Sequence, residues 1–95
     1  MIKAMKVSSN DNVVILLEDI KKGETCDYDA ENPLKANQDI PFGHKIALRD
    51  IAIGEDIVKY GHIIGYATQP ISQGDWVHNH NIRSDRGRIK KERPV

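Results

Sequence analysis

The stretch Asp50-Ile51-Ala52-Ile53-Gly54-Glu55 is the unit that decides the fold of this 95-residue chain. An isoleucine, two variable residues and a glycine recur in the same order at residues 19–24 and 39–44, and more loosely at 70–75. In each copy we expect the isoleucine to enter the core and the chain to turn back over a short loop. The glycine is then expected to take a positive φ angle, which a side chain would penalise.

The four copies of this turn divide the chain into two related halves. Placing Asp19 on Asp50 also aligns several identical residues further along, namely Ala36 with Ala67, Gln38 with Gln69, Ile40 with Ile71, and Gly43 with Gly74. A pair of turns brackets each half. The sequence therefore predicts two halves related by a pseudo-two-fold axis.

Short apolar segments flank the turns, and their length favours strands over helices. They lie at residues 1–7, 13–17, 45–48, 57–58 and 76–77. The polar segment 25–35 contains Asn32-Pro33, which predicts a loop or a weak edge strand. No stretch has a helical period. The predicted fold is a compact all-β domain of short strands and tight turns with little helix.

Composition limits the classes of protein that this chain can represent. Lysine and arginine balance aspartate and glutamate at 14 each, and the single cysteine, Cys26, cannot form an internal disulfide. With no charged-then-apolar leader at the start, this indicates a cytoplasmic protein. Cys26 has no basic neighbour, which argues against a nucleophilic role. The longest apolar run, residues 13–17, is too short to span a membrane.

The candidate site lies in the stretch from Gly74 to Asn81, which holds two of the four histidines and the only tryptophan. On a strand, His78 and His80 would share a face with their Cα atoms roughly 6–7 Å apart, while Asn79 and Asn81 would occupy the other face. Two imidazoles on one face suit a divalent transition metal. The alternative is a pair of solvated surface histidines.

Two ligands rarely hold a metal tightly, so a third would have to come from His44, His62 or a partner chain. His44 is preferred, because it follows a turn in the place equivalent to Asp75.

The segment from Lys59 to Ala67 contains Gly61 and Gly65, which would allow the backbone to approach a ligand or another chain closely. Its spacing matches neither a dinucleotide fingerprint nor a phosphate-binding loop. Lys59 is a candidate for binding an acidic group, and the alternative is an ordinary solvated lysine.

Five segments carry a resemblance to a known family. In chain order they are residues 40–48, 51–55, 59–61, 64–65 and 71–81. The chain resembles a SAF-type domain of the β-clip class, and most nearly the small N-terminal domain of the altronate and galactarate dehydratase family. The same domain occurs as a separate small subunit in altronate dehydratases and sulfolactate sulfo-lyases. The resemblance covers residues 39–81. The N-terminal half matches only in pattern, and the basic tail departs from the family.

The resemblance implies a SAF-like domain at residues 1–82 followed by a tail at 83–95. Family members eliminate water or sulfite from hydroxylated acids, and for sugar acids an enol then gives a keto-deoxy acid. A divalent metal, often iron, is implied, and most of the catalytic machinery belongs to a large domain or subunit. This chain would then be a separate small subunit that is inactive alone, and a homo-oligomer is an expectation as well. It would bring four residues to the edge of a shared site, namely His78, His80, Lys59 and His44.

The basic tail leaves a second function open, that of a small β-module binding nucleic acid or a protein. Residues 83–95 carry six cations against two acids, which favours phosphate contact. Residues 1–82, in contrast, carry 8 cations against 12 acids and few aromatics. Nucleic acid is therefore the less favoured partner. Because the tail lacks apolar anchors, we expect it to be mobile.

Overall fold

The computed structural model describes residues 1–28 and 33–84. All the regular structure in these residues is β, which confirms the predicted all-β fold with little helix. Accordingly, nothing in the described ranges is a helix long and apolar enough to cross a membrane. The described residues form nine strands, namely β1 (Ile2–Met5), β2 (Val13–Leu16), β3 (Thr25–Asp27), β4 (Leu34–Lys35), β5 (Lys45–Ala47), β6 (Asp56–Lys59), β7 (His62–Ala67), β8 (Trp76–Val77) and β9 (Ile82–Ser84).

The strands form two sheets. The first has six strands in the order β4-β3-β1-β2-β5-β8, and the second has three in the order β6-β7-β9. All neighbours are antiparallel except β1 and β3, which run parallel. The segment predicted as a loop or weak edge strand supplies β3 and the two-residue edge strand β4.

Strand β2 separates two hydrophobic cores, because successive side chains of a strand point to opposite faces. Val14 and Leu16 face the first core, and Val13 faces the second. The four turn isoleucines are divided in the same way. Ile20 and Ile40 are buried in the first core, while Ile51 and Ile71 are buried in the second.

The predicted turn conformation is confirmed at all four copies of the repeat. The φ angles are +90° at Gly23, +86° at Gly43, +83° at Gly54 and +92° at Gly74. In three copies an acidic side chain after the glycine accepts a hydrogen bond from the backbone N–H three residues earlier. These acids are Glu24, Glu55 and Asp75.

The backbone hydrogen bonds repeat between the halves at a spacing of 31 residues. Gly23 N donates to Ala36 O, and Gly54 N donates to Ala67 O. Further matching pairs are Gly43 N to Leu16 O with Gly74 N to Ala47 O, and the reciprocal bonds of Ile20 with Ile40 and of Ile51 with Ile71. The two halves predicted from the sequence are therefore built alike.

Two buried polar residues, Asp11 and Asn12, attach the second sheet to the first. Asp11 Oδ2 accepts from Val7 N and Ser8 N, and its Oδ1 accepts from Gly61 N at 2.7 Å. Asn12 Oδ1 accepts from the N–H of Val58, and its Nδ2 donates to the carbonyl of Asp56. Nothing in the sequence pattern indicates that these two polar residues are buried.

The turn between β6 and β7 consists of Tyr60 and Gly61, with φ of +57° and +78°. Positive φ at both central residues is the geometry of a two-residue type I′ hairpin turn. A tyrosine is costly in this conformation, and the bond from Gly61 N to Asp11 helps to hold it. The turn fixes the end of β6, where Lys59 lies.

The prediction that His78 and His80 lie on a strand is wrong, because β8 ends at Val77 and residues 78–81 form a turn. Asn81 N and Ile82 N both donate to the carbonyl of His78. Asn81 is buried in this turn, and its Oδ1 accepts from His78 N. A side chain that bonds the local backbone competes with strand pairing, which explains the early end of β8.

The last described strand, β9, continues through Ser84, two residues past the expected domain boundary. Arg83 pairs with Tyr66, and Ser84 pairs with Gly65. Gly65 approaches the Arg83 carbonyl so closely that a Cβ would not fit. Of the tail predicted to be mobile at residues 83–95, Arg83 and Ser84 therefore belong to β9, and residues 85–95 lie outside the described residues.

Two turn glycines differ in their surroundings, and this difference predicts different costs of substitution. A Cβ at Gly74 would collide with the carbonyl of Lys35, whereas a Cβ at Gly54 would meet nothing within 4 Å. Gly54→Ala should lower the free energy of unfolding by about 1 kcal/mol, the cost of positive φ alone. Gly74→Ala should cost at least about 3 kcal/mol, because a backbone atom must also move. Urea unfolding at equal m-values measures both, and equal losses would contradict the collision.

Asp11 should make stability sensitive to acid. Burial alone would raise the pKa of Asp11, but the N–H groups of Ser8, Gly61, Tyr60 and Val7 together lower it. The carboxylate therefore stabilises the fold above the unfolded pKa of about 3.9, and this is lost as pH falls through the folded pKa.

Asp11→Asn should lower the free energy of unfolding by about 2 kcal/mol at pH 7, because an amide cannot accept all these donors. It should also flatten the acid side of the stability profile. Asp50→Asn is the control, since exposed Asp50 accepts a single backbone bond, from Gln73. Equal losses in both variants would show that Asp11 does not attach the second sheet.

Candidate functional site

Four rings meet at one edge of the six-stranded sheet, and we call them the imidazole rim: His44, Trp76, His78 and His80. The ring centroids of His44 and His78 are 4.8 Å apart. The Trp76 indole stacks on His78 at 5.6 Å with an interplanar angle of 13° and meets His80 edge-on at 5.9 Å. Strand β5 follows His44 and β8 begins at Trp76, so the β5–β8 pair brings the rings together.

Trp76 is the centre of the rim, and hydrogen bonds hold it on three sides. Its backbone N donates to Gln38 Oε1 at 3.1 Å, and its carbonyl accepts from Asn81 Nδ2 at 2.9 Å. Its indole Nε1 donates to His44 Nδ1 at 3.2 Å. The side chains of Gln38 and Asn81 thus hydrogen-bond the main chain of Trp76 and hold its ring against the neighbouring histidine rings.

His44 reaches the rim because the second turn departs from the repeat. In the other three turns an acid follows the glycine and accepts from a backbone N–H. Here the residue to be capped is Pro41, which has no N–H, and His44 replaces the acid. Its imidazole is released from the turn and bonds Trp76 instead. This departure was visible in the sequence and is the signal that could have singled out His44 as a residue that does not cap its own turn.

Two lysines add positive charge near the rim. Burial, and then the charge of Lys59, lower the pKa of Lys45. Burial, followed by the charges of His44, Lys45 and His80, lowers the pKa of His78. Neither shift has a carboxylate among its causes. Proton donors and cations therefore converge here, an arrangement that attracts an anion.

Lys59, the predicted substrate-binding residue, lies on β6 of the other sheet. Its Nζ sits 5.2 Å from the centroid of the Tyr60 ring. Because the Lys59 charge is felt at Lys45, the second sheet contributes to the same electropositive region. Sequence reasoning missed Lys45, which a strand pattern alone gave no reason to single out.

The predicted site residues are only partly brought together. His44 and His78 are in contact, and His78 and His80 both pack on Trp76. His62 lies at the exposed start of β7. Within the described ranges, no three histidine, cysteine or acidic side chains are arranged to hold a metal ion. The metal at His78 and His80 stays a prediction, for which these residues alone do not supply enough ligands.

Cys26 takes no part in the site, consistent with the sequence expectation. The thiol is buried in the first core, and this burial raises its pKa to about 11. A thiol with a raised pKa is a poor nucleophile at neutral pH.

Trp76 also lines a cleft of about 320 Å³. Its other walls come from the first pair of turns, namely Asp19, Ile20, Lys21, Asp39, Ile40 and Pro41. The cleft and the rim therefore share the indole, and carboxylates able to accept hydrogen bonds from hydroxyl groups lie beside the electropositive region.

A compact all-β fold of two turn-bracketed halves is consistent with a SAF-type β-clip domain. Comparison with known proteins identifies the family: residues 2–85 match the altronate/galactarate dehydratase SAF domain, and the chain belongs to this family.

Similar proteins fall into two groups by length. Altronate dehydratase of Bacillus subtilis is 42% identical over 81 residues, which are 85% of this chain but 16% of that protein. Galactarate dehydratase (L-threo-forming) of Escherichia coli is 38% identical over 77% of this chain and 14% of that protein. In contrast, the (2R)-sulfolactate sulfo-lyase subunit alpha of Chromohalobacter salexigens is 36% identical over 77% of this chain and 83% of that subunit.

The charge coupling between the two sheets can be measured. Since burial and Lys59 lower the pKa of Lys45, Lys59→Met should raise it toward the ordinary lysine value. Lys21→Met, a substitution of an exposed lysine in the first turn, should leave it unchanged. NMR titration of the Lys45 Nζ follows both variants. An unchanged Lys45 pKa in Lys59→Met would show that the two ammonium groups do not interact electrostatically.

Proposed function

We propose that this chain is the small subunit of a hydro-lyase that removes water from a sugar acid. In this proposal the rim binds the carboxylate of the acid at a site shared with a large subunit. The observation that carries the proposal is the convergence of two imidazoles and two lysines. The rings of His44 and His78 lie 4.8 Å apart, and burial followed by nearby positive charge lowers the pKa of His78 and of Lys45, the latter through Lys59.

The reaction explains why such a region is useful. A base removes the proton on the carbon next to the carboxylate, and the electron pair of that C–H bond forms a C=C bond. The C–O bond of the hydroxyl on the following carbon then breaks, and the hydroxide takes up a proton and leaves as water. The resulting enol becomes the 2-keto-3-deoxy acid. Negative charge develops on the carboxylate as the proton leaves, and fixed cations and N–H donors stabilise it.

The residues of this chain suit part of that work. Lys45, Lys59 and His44 are suited to holding the carboxylate. The lowered pKa of His78 favours its neutral form, which is able to accept a proton. Asp19 and Asp39, in the cleft beside Trp76, suit the hydroxyl groups of the substrate. The rim is open to solvent on the domain surface, so excluding water from it requires a second chain.

Relatives of two lengths support the division between small and large subunits. A sulfo-lyase has a separate subunit alpha of similar extent, whereas the altronate dehydratases contain a matching segment within a much longer chain. The remaining groups of the site would then lie on another polypeptide. A divalent metal such as Fe²⁺ remains part of the proposal with His78 and His80 as candidate ligands, completed by the partner chain. A cytoplasmic location and a homo-oligomer likewise remain predictions.

Reconstitution tests the proposed function. The purified chain alone should not turn over altronate, and adding a large dehydratase subunit encoded beside it should restore water loss. In the complex, His78→Ala and His80→Ala should each lower turnover at least tenfold, about 1.4 kcal/mol of transition-state stabilisation. Lys59→Met should mainly raise KM, and Lys22→Met, at an exposed lysine that does not line the cleft, is its charge-matched control.

Two results would contradict the proposal. One is turnover by the pure chain, which would remove the need for a partner. The other is wild-type kinetics in the His78, His80 and Lys59 variants of the reconstituted enzyme, which would place the substrate elsewhere.

A further inference from the structure

The hydrogen bond between Trp76 and His44 determines which nitrogen of His44 carries a proton. An indole N–H can only donate, so His44 Nδ1 must accept with its lone pair. A neutral imidazole has one N–H, which must then lie on Nε2. His44 therefore presents an N–H donor to its surroundings.

Both partners of this bond are fixed by further contacts. The backbone N and O of Trp76 are held by Gln38 and Asn81, and its ring stacks on His78. The backbone of His44 is also bound on both sides, since its N donates to Pro41 O and its carbonyl accepts from Leu16 N. The His44 ring itself meets the His78 ring edge-on, with centroids 4.8 Å apart, and this contact restricts its rotation.

We infer that Trp76 is a positioning residue that holds His44 as an Nε2–H donor. This N–H lets the rim bind an anionic oxygen, and the same arrangement prevents His44 from binding a metal. Ligation through Nε2 would require the lone pair that the proton occupies, and ligation through Nδ1 would displace the indole. The preference for His44 as a third metal ligand is therefore replaced by a role in carboxylate recognition. Only the choice of a carboxylate rests on the proposed function.

The free chain, labelled with ¹⁵N, is sufficient for the central measurement. At about pH 9, well above the ordinary imidazole pKa of about 6.5, long-range spectra identify the protonated ring nitrogens. We expect the His44 proton on Nε2 and a scalar coupling across the hydrogen bond between Trp76 Nε1 and His44 Nδ1. A proton on Nδ1, or the absence of this coupling, would overturn the inference.

A variant separates positioning from packing. Trp76→Phe keeps an aromatic ring against His78 but removes the N–H donor, so part of the His44 population should shift its proton to Nδ1. Equimolar Zn²⁺ should then perturb His44 in the variant, while the wild type keeps the indole coupling in its presence. An unchanged proton distribution in Trp76→Phe, or loss of the coupling in wild type on adding Zn²⁺, would overturn the inference. The wild-type measurements decide the question even if the variant does not fold.

A sugar acid tests the anion directly. Sodium D-gluconate at up to about 50 mM, which detects millimolar affinity, should shift the His44 Nε2 resonance. Sodium chloride at equal ionic strength should not, and the His62 resonances provide an internal reference. The absence of a specific shift would overturn the carboxylate assignment. Since no partner and no turnover are involved, failure here is distinct from failure of the proposed function.

Discussion

A glycine at positive φ, used four times, is the constraint on which the rest of this domain depends. Each such glycine lets the chain reverse within a few residues, and the isoleucine that precedes it enters a core. Reciprocal hydrogen bonds then join the turns in pairs, one pair for each half. The same device positions the site, because the second turn ends at His44 and the fourth is followed at once by Trp76.

The repeat made the fold accessible from sequence, because the turn chemistry is local. An isoleucine that must be buried and a glycine that must take positive φ are visible without knowledge of distant contacts. The correspondence between halves, such as Gly43 with Gly74, needs only a fixed spacing. What could not be predicted depends on long-range bonds of polar side chains. Asp11 and Asn12 look like ordinary turn residues, yet they bond residues more than 40 positions away.

The site was predicted less completely, for a related reason. His44 was expected near His78 and is in contact with it. His78 and His80 both pack on Trp76 instead of sharing a strand face. Asn81 ends the strand by bonding the backbone of Trp76 and His78, an outcome that alternation of residue types does not reveal. The more informative signal was an irregularity in the repeat. In the second turn a histidine stands where the other turns have the capping acid, and a proline stands where they have the backbone N–H that the acid caps. A residue that departs from a strict repeat in this way does not cap its own turn, so its side chain is available for contacts elsewhere.

The imidazole rim and Lys45 lie on the first sheet, and Lys59 lies on the second. The central claim is that these groups together form part of a substrate site that another chain completes. A crystal structure of this chain with a large dehydratase subunit and a bound sugar acid tests it most directly. We expect the substrate carboxylate within hydrogen-bond distance of His44 Nε2, with the ammonium groups of Lys45 and Lys59 facing it and the partner covering the rim. A rim left exposed to solvent, with the sugar acid bound entirely by the large subunit, would contradict the account.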